Sequence, residues 1–368
     1  MITRVPLYVK ITCILLLLSI LFFTLFAAQG IILPLGFSFL IAVLLFPLEK
    51  KMARIGLPRV ICILLSLVIA TVVLTALIMF ISYQMSSFID DLPAIKKNLT
   101  GFFSNAQEWV DHTFHVSKQQ QNQVITDAQK DGMGNAKDMA GSTLGALTAS
   151  LATLMLVPIY TFLFMYYRSH LIMFTIKIFD DKHANTVARV ISKIREVILQ
   201  YVSGLLIETG CVAVLNSAGL LIIGVPYAIL LGVIGAILNL IPYIGGLISL
   251  ILTAIVTLSN TGDTYKTLGS MAIFFVVQFI DNNFLVPRII GSSVKLNALV
   301  SILAVLLGGA LCGVGGMFLS LPFVATCKVI FDHVEELKPW GMLLGDEDDA
   351  RWHKLKKRKP APKKQPVA

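Results

Sequence analysis

Between Gly204 and Phe331 the chain runs for 128 residues with seven charged side chains: Glu208, Asp263, Lys266, Asp281, Arg288, Lys295 and Lys328. A water-soluble domain carries about 25% charged residues, so this stretch cannot cover itself with polar surface. It has to sit in lipid. The rest of the 368 residues agree, with 56% hydrophobic and 14% charged side chains and a mean hydropathy of +0.82. The sequence therefore predicts an all-α polytopic membrane protein. The net charge of +9 comes largely from short loops and the C-terminal tail, and it does not point to a nucleic-acid partner.

A spanning helix needs about 20 apolar residues, each rising about 1.5 Å. Full-length candidates are 11–28, 30–47, 60–83, 144–166, 204–223 and 268–286. The first reads as an uncleaved span, because its apolar run is long for a signal peptide and Phe26-Ala27-Ala28 is a poor cleavage site. Sides follow from the positive charges. Arg4 and Lys10 place the N-terminus in the cytoplasm, and Lys50, Lys51, Arg54 and Arg59 return the second loop there. Residues 84–143 carry seven acids against five lysines and fall outside, whereas 167–203 carry six cations against three acids and fall inside. The tail from Arg351 to Lys364 holds eight cations and is cytoplasmic, with anionic lipid as its contact. The expected organisation is N-terminal spans (1–83), an extracytoplasmic helical loop (84–143), a span with a cytoplasmic amphipathic helix over 170–200 (144–203), a core (204–331) and a basic tail (332–368).

Two regions of the core are not simple spans. After Gly224-Val225-Pro226 come two apolar arms separated by Asn239-Leu-Ile-Pro242-Tyr243-Ile-Gly245-Gly246. An arm of about 15 residues covers about 22 Å, short of the bilayer. A second pair of arms, 297–311 and onward to 331, is interrupted at Gly308-Gly309, Gly313 and Gly315-Gly316. Both read as broken or re-entrant hairpins, giving about eight transmembrane segments in all. The charge rule orients the two span-plus-hairpin units oppositely, a possible inverted repeat. Interrupted helices of this kind build midplane sites in secondary transporters; two kinked spans packed through small residues would leave the same pattern.

Polar residues inside these apolar runs are the candidate site. Gln278, Asp281 and Asn282 share one helical face, Asn283 follows, and Arg288 lies two turns beyond Asp281. An intramembrane acid is a functional candidate by default: Asp281 carries a proton, coordinates a cation, or neutralises Arg288. Asn239 satisfies carbonyls freed by the break or binds substrate. Glu208 reads as interfacial, Asn216 has no evident partner, and Lys328 snorkels to the inner surface. The five cysteines read as small buried hydrophobes. His112 and His115 could share a helical face, but nothing beside them completes a metal site. There is no P-loop, HExxH or GxSxG, so neither an enzyme nor a cofactor is expected.

The run Gly235-Ala-Ile-Leu-Asn239-Leu-Ile-Pro242-Tyr243-Ile-Gly245, followed by Gln278-Phe-Ile-Asp281-Asn-Asn283-Phe-Leu-Val-Pro287-Arg288-Ile-Ile-Gly291, resembles the autoinducer-2 exporter family of PerM-like permeases. Gly308-Gly309, Gly313, Gly316 and Pro322 extend the likeness. The resemblance implies a multi-pass transporter of the bacterial inner membrane, homo-oligomeric, either exporting the quorum-sensing signal or exchanging sodium or lithium for protons. The chain departs from the family at Leu296-Asn297-Ala298, where Leu-His-Pro is common, and at Gly246, where a proline often stands.

The expected function is a secondary exporter of a small polar metabolite or signal such as autoinducer-2, working by alternating access. Asn239, Pro242, Tyr243, Gly245 and Gly246 would shape one side of its site. Gln278, Asp281, Asn282 and Asn283 would supply polar contacts, with Arg288 as counter-charge. The alternatives are a sodium or lithium/proton antiporter using Asp281, and a membrane scaffold that transports nothing.

Overall fold

The structure is a computed structural model that describes residues 6–114, 155–241, 244–289 and 296–345. Its regular elements are helical, with no strand among the described residues. Helices α1 (Leu7–Ala27), α2 (Gln29–Ala53) and α3 (Arg59–Phe114) are followed by α4 over 155–178. Then come α5 (Ala184–Ile223), α6 (Ala228–Asn239), α7 (Ile244–Thr261), α8 (Thr264–Ile280), a π turn (Asp281–Leu285) and α9 (Val286–Ile289). Helices α10 (Ala298–His333) and α11 (Lys338–Leu344) are the last among the described residues. Among the described residues, five helices are long and apolar enough to cross a membrane. The chain forms two compact units: Met1–Leu171 with Val202–Gly291, and Ile172–Tyr201 with Ser292–Ala368.

In the first unit, α2, α3 and α4 pack through Ala42, Leu45, Ile63 and Met165. Buried beside them is Glu49, ion-paired to Arg168 at 3.0 Å and to Arg59 at 3.9 Å. Arg59 also donates to the Met165 carbonyl at 2.9 Å, and the Arg168 guanidinium lies 4.2 Å over the Phe46 ring. An acid this deep needs such partners, because an unpaired buried charge destabilises far more than a pair stabilises. Helix α3 has no break between its span and the loop expected after residue 83. Its 56 residues make one rod about 84 Å long.

Helices α6 and α7 form a hairpin, with α5 before it and α8 after it. Gly224, at φ +72°, ends α5, and the Val225 amide reaches back to the Leu220 carbonyl at 3.0 Å. That left-handed residue lets the last carbonyls find donors. Tyr227 follows at φ +58°, a conformation costing a non-glycine residue about 1–2 kcal/mol. Its hydroxyl donates to Asp91 and its ring meets Phe88 edge-on at 5.4 Å, so the α3 extension holds it there. Helices α6 and α7 then pack closely: the Ser249 hydroxyl bonds the Gly235 carbonyl at 3.2 Å. At the far end Gly262, at φ +62°, closes α7. Asp263 caps α8, accepting from the Tyr265 and Lys266 amides at 2.8 and 3.3 Å; side-chain caps of this kind replace missing intrahelical acceptors.

In the second unit, α10 is not one rod. Cys312 (φ −138°) and Gly313 (φ +60°, ψ −151°) leave helical geometry, and the chain folds back. A Cβ placed on Gly308 would collide with the Gly316 carbonyl oxygen, and one on Gly316 with the Gly308 oxygen. Residues eight apart in a straight helix stand about 12 Å apart, so this is the expected second hairpin. Asn297 caps its first arm through the Val300 amide at 2.8 Å. Its Nδ2 also donates to the Leu343 and Gly345 carbonyls at 2.7 and 3.2 Å, tying α11 to the hairpin base.

Four expectations change. The segment 170–200 is not one amphipathic helix: it breaks at residues 179–183, and from Ala184 it continues without interruption into the span ending at Ile223. Lys328 does not reach out freely; it is buried and ion-paired one turn on to Asp332 at 2.8 Å. Of the cysteines, all free, Cys62 is buried while Cys13 is exposed, as lipid-facing residues of α1 are. The span expected over 268–286 ends its α-helical part at Ile280 and widens into the π turn at Asp281. His115 and the His112 side chain lie outside the described residues.

Gly308→Ala should lower the melting temperature in detergent or abolish folded yield, because its methyl meets backbone that cannot move aside. Overpacking of this kind costs about 1–3 kcal/mol. Gly30→Ala, in α2 with nothing within 4 Å, is the control and should be neutral or slightly stabilising.

Candidate functional site

The short helix α6 ends at Asn239, which brings an amide side chain to the interior of the hairpin. Its Nδ2 donates in two directions: to Asp281 Oδ2 at 3.0 Å and to Glu208 Oε1 at 3.2 Å. Asp281 and Glu208 are 2% and 4% exposed, and both accept from the same amide nitrogen. One amide therefore bridges two buried acids from two different helices, α5 and the end of α8. Gln278 adds a weaker bond from Nε2 to Asp281 Oδ2 at 3.4 Å and one to Asn282 Oδ1 at 3.3 Å.

Asp281 begins the π turn. Such single turns widen the helix and recur at functional sites. Glycines make the approach possible elsewhere. A Cβ on Gly245 would overlap the Leu238 backbone, and one on Gly246 would stand 2.7 Å from Gln278 Oε1 and 3.7 Å from Asn239 Oδ1. Gly245 permits the tight turn between α6 and α7, and Gly246 clears the space that the two amides face.

That space is a pocket with room for about one water-sized guest, lined by Asn216, Asn239, Gly246, Ser249, Gln278 and Asp281 among others. Two of its oxygens, Asp281 Oδ1 and Asn216 Oδ1, are buried and have no hydrogen-bond partner. None of the lining residues is cationic. The arrangement offers acceptors and negative charge, so it suits a guest that donates hydrogen bonds or carries positive charge. Two neighbouring buried carboxylates without a counter-ion are strongly unfavourable; a proton or a small cation is the neutralising species the geometry admits.

The structure brings Asn239, Gly246, Gln278 and Asp281 together, with Gly245 shaping the turn behind them. Pro242 and Tyr243 lie outside the described residues. Asn282 is exposed and touches the cluster only through Gln278. Asn283 is also exposed and bonds its own helix, donating to the Phe279 carbonyl at 2.8 Å. Arg288 is exposed, and among the described residues no ion pair joins it to Asp281. The partner of Asp281 is instead Glu208, through Asn239. Glu208 was legible only as an acid near the end of a span, and Asn216 as a lone amide in an apolar run. The signal that could have found both is the general cost of burying such groups in lipid.

The profile described as AI-2E family transporter matches residues 11–336. The candidate transport protein YhhT of Escherichia coli strain K12 is 28% identical over 322 residues, which cover 87% of this chain and 89% of YhhT. The AI-2 transport protein TqsA of the same strain is 24% identical over 328 residues, 87% of this chain and 91% of TqsA. The candidate transport protein YrrI of Bacillus subtilis strain 168 is 33% identical over 133 residues, 36% of this chain and 37% of YrrI. With nearly its whole length matched, the chain belongs to the AI-2E family of membrane transporters.

Proposed function

We propose that this protein is a secondary transporter of the bacterial inner membrane, with the Glu208–Asn239–Asp281 cluster as its coupling centre. The observation that carries the proposal is a pair of buried acids sharing one amide beside two unpartnered acceptor oxygens. A membrane protein tolerates such groups in its interior where they serve a solute or a proton. In alternating access, a proton or small cation on the pair neutralises it, and the neutral cluster crosses the apolar interior at lower cost than the charged one. The transported solute is a small polar metabolite or signal, with autoinducer-2 suggested by the name of TqsA. Both termini are cytoplasmic, the tail rests on anionic lipid, and the chain works as a homo-oligomer.

The second reading, a sodium or lithium/proton antiporter, is favoured by one observation. The pocket has room for a water-sized guest, and Asn216, Asn239, Ser249, Gln278 and Asp281 line it beside apolar residues, which fits a small cation better than an organic solute. In that version Asp281 is the ligand that cation and proton share, and Glu208 supplies the second charge.

Two measurements test these assignments. The first is thermal unfolding in detergent. Asp281→Asn and Glu208→Gln each remove one of two adjacent charges and should leave the melting temperature unchanged or raised. Asn239→Leu removes the amide that both acids share and should lower it, since a buried group losing its partner costs about 1–3 kcal/mol. The second is collapse of a proton gradient in proteoliposomes challenged with sodium, lithium or potassium. Cation-triggered collapse by the wild type, absent in Asp281→Asn and Glu208→Gln, is the antiporter result. No cation response, with efflux of labelled signal that both variants lose, is the exporter result. Full transport in Asp281→Asn would sink the coupling centre, and neither cation response nor efflux in folded wild type would leave the scaffold.

A further inference from the structure

Helix α7 is inside out. Leu247, Ile248, Ile251 and Ile255 are its exposed residues, while Ser249, Thr253, Thr257 and Ser259 are buried, none more than 2% exposed. A spacing of four keeps Ser249, Thr253 and Thr257 on one face, about 6 Å apart at each step. Helix α8 carries its own buried pair, Thr267 and Ser270. The two helices run antiparallel about Gly262, so residues equally distant from it lie opposite each other. Gly246 and Gln278 are each sixteen residues away, and they do meet, with the 2.7 Å approach already described. The same register sets Thr257 opposite Thr267, Thr253 beside Ser270, and Ser249 at the pocket.

Hydroxyl rows at helix contacts ordinarily serve close packing, each hydroxyl bonding back to the carbonyl four residues earlier. Ser249, Ser259 and Thr261 do so, to Gly245, Ile255 and Thr257, and Thr267 does so to Asp263. Thr257 does not. Its Oγ1 is buried without any partner, in a residue 0% exposed. At the pocket end of the row, Asp281 Oδ1 and Asn216 Oδ1 are in the same condition. Unpartnered buried oxygens therefore stand at both ends of one hydroxyl seam, and ordered water is what ordinarily satisfies such groups. At the Gly262 end the α3 extension arrives as well, with Asn98 donating to the Ser259 carbonyl at 2.8 Å.

We propose that the seam between α7 and α8 is a water path joining the carboxylate pocket to the Gly262 end of the hairpin, with Thr257 as a water site along it. A hydroxyl both donates and accepts, so a row of them can align waters and pass a proton on. The aliphatic outer face of α7 meanwhile seals the path from lipid. Such a path delivers protons or water to Asp281, the acid that lines the pocket, and does not admit an organic solute. This assignment of purpose rests on the coupling-centre reading, but the path itself is measurable without any transport.

The probe is silver ion, which is about the size of the species the path would carry and blocks thiols on contact. It is applied to the full chain in nanodiscs after Cys13, Cys62, Cys211, Cys312 and Cys327 are replaced by serine or alanine. Blocking is read as loss of maleimide labelling after denaturation. Thr253→Cys and Thr257→Cys should be blocked about tenfold faster than Val256→Cys, since thiol reactivity follows access to water. Val256 is the buried neighbour that packs in the apolar core with Leu220 and Phe274. Equal rates at Thr257→Cys and Val256→Cys would overturn the path and leave the row as packing. Where the cysteine variants fail to fold, Thr257→Val decides: it should keep the melting temperature while slowing proton flux several-fold, and an unchanged flux overturns the path. Absence of flux in the wild type would instead remove the coupling-centre reading, and the silver result would stand by itself.

Discussion

Hydrocarbon offers no hydrogen bonds, and that requirement governs every irregular feature of this chain. Backbone that stops being helical inside the membrane must be buried in protein. Arms too short to span therefore come in pairs, packed against each other. In α6 and α7 the turn is closed by Gly245 packed on the Leu238 backbone. In α10 it is closed by Gly308 and Gly316 in mutual backbone contact. The two turns differ in sequence yet meet the same constraint by the same means, omission of Cβ where two backbones touch.

The same constraint explains what the sequence made legible. Charge-poor runs, their lengths and their Gly/Pro interruptions fix helices and hairpins because each is a local property. Gly224, Gly262 and Gly313, all at positive φ, stand where helices end or turn. What was not legible is non-local. The break at residues 179–183 and the continuity of α5 turn on where one helix stops and the next starts within a polar segment, where amphipathic periodicity runs past the boundary. The 56-residue rod of α3 looked like a span plus a loop because polarity changes at residue 84 while helix propensity does not.

The site shows the same division. Asp281, Gln278, Asn239 and Gly246 were recognisable because each is out of place in its own apolar helix. The pairing was not, since the natural partner by sequence was Arg288, only seven residues away. Glu208 lies 73 residues before Asp281, and only the packing of α5, α6 and α8 through Val212, Ala236 and Val277 brings it to the same amide. An acid–base pair along one helix would have been self-sufficient and inert. Two acids on separate helices leave the charge balance to whatever enters the pocket.

That difference bears on how the centre can work. Asn239 sits at the tip end of a twelve-residue arm, held to α5 and α8 by one nitrogen. If Glu208 and Asp281 are both charged, repulsion between them drives the helices apart and the bridging amide is the main restraint. If a proton or cation neutralises the pair, the repulsion vanishes and the bridge is shared by groups that now attract. The occupied and unoccupied states thus differ in how tightly α5, α6 and α8 are held. A ligand shifts a conformational equilibrium only through such differential interaction. In the proposed mechanism the coupling requires no long-range relay: the group proposed to bind the solute is the group that joins the helices.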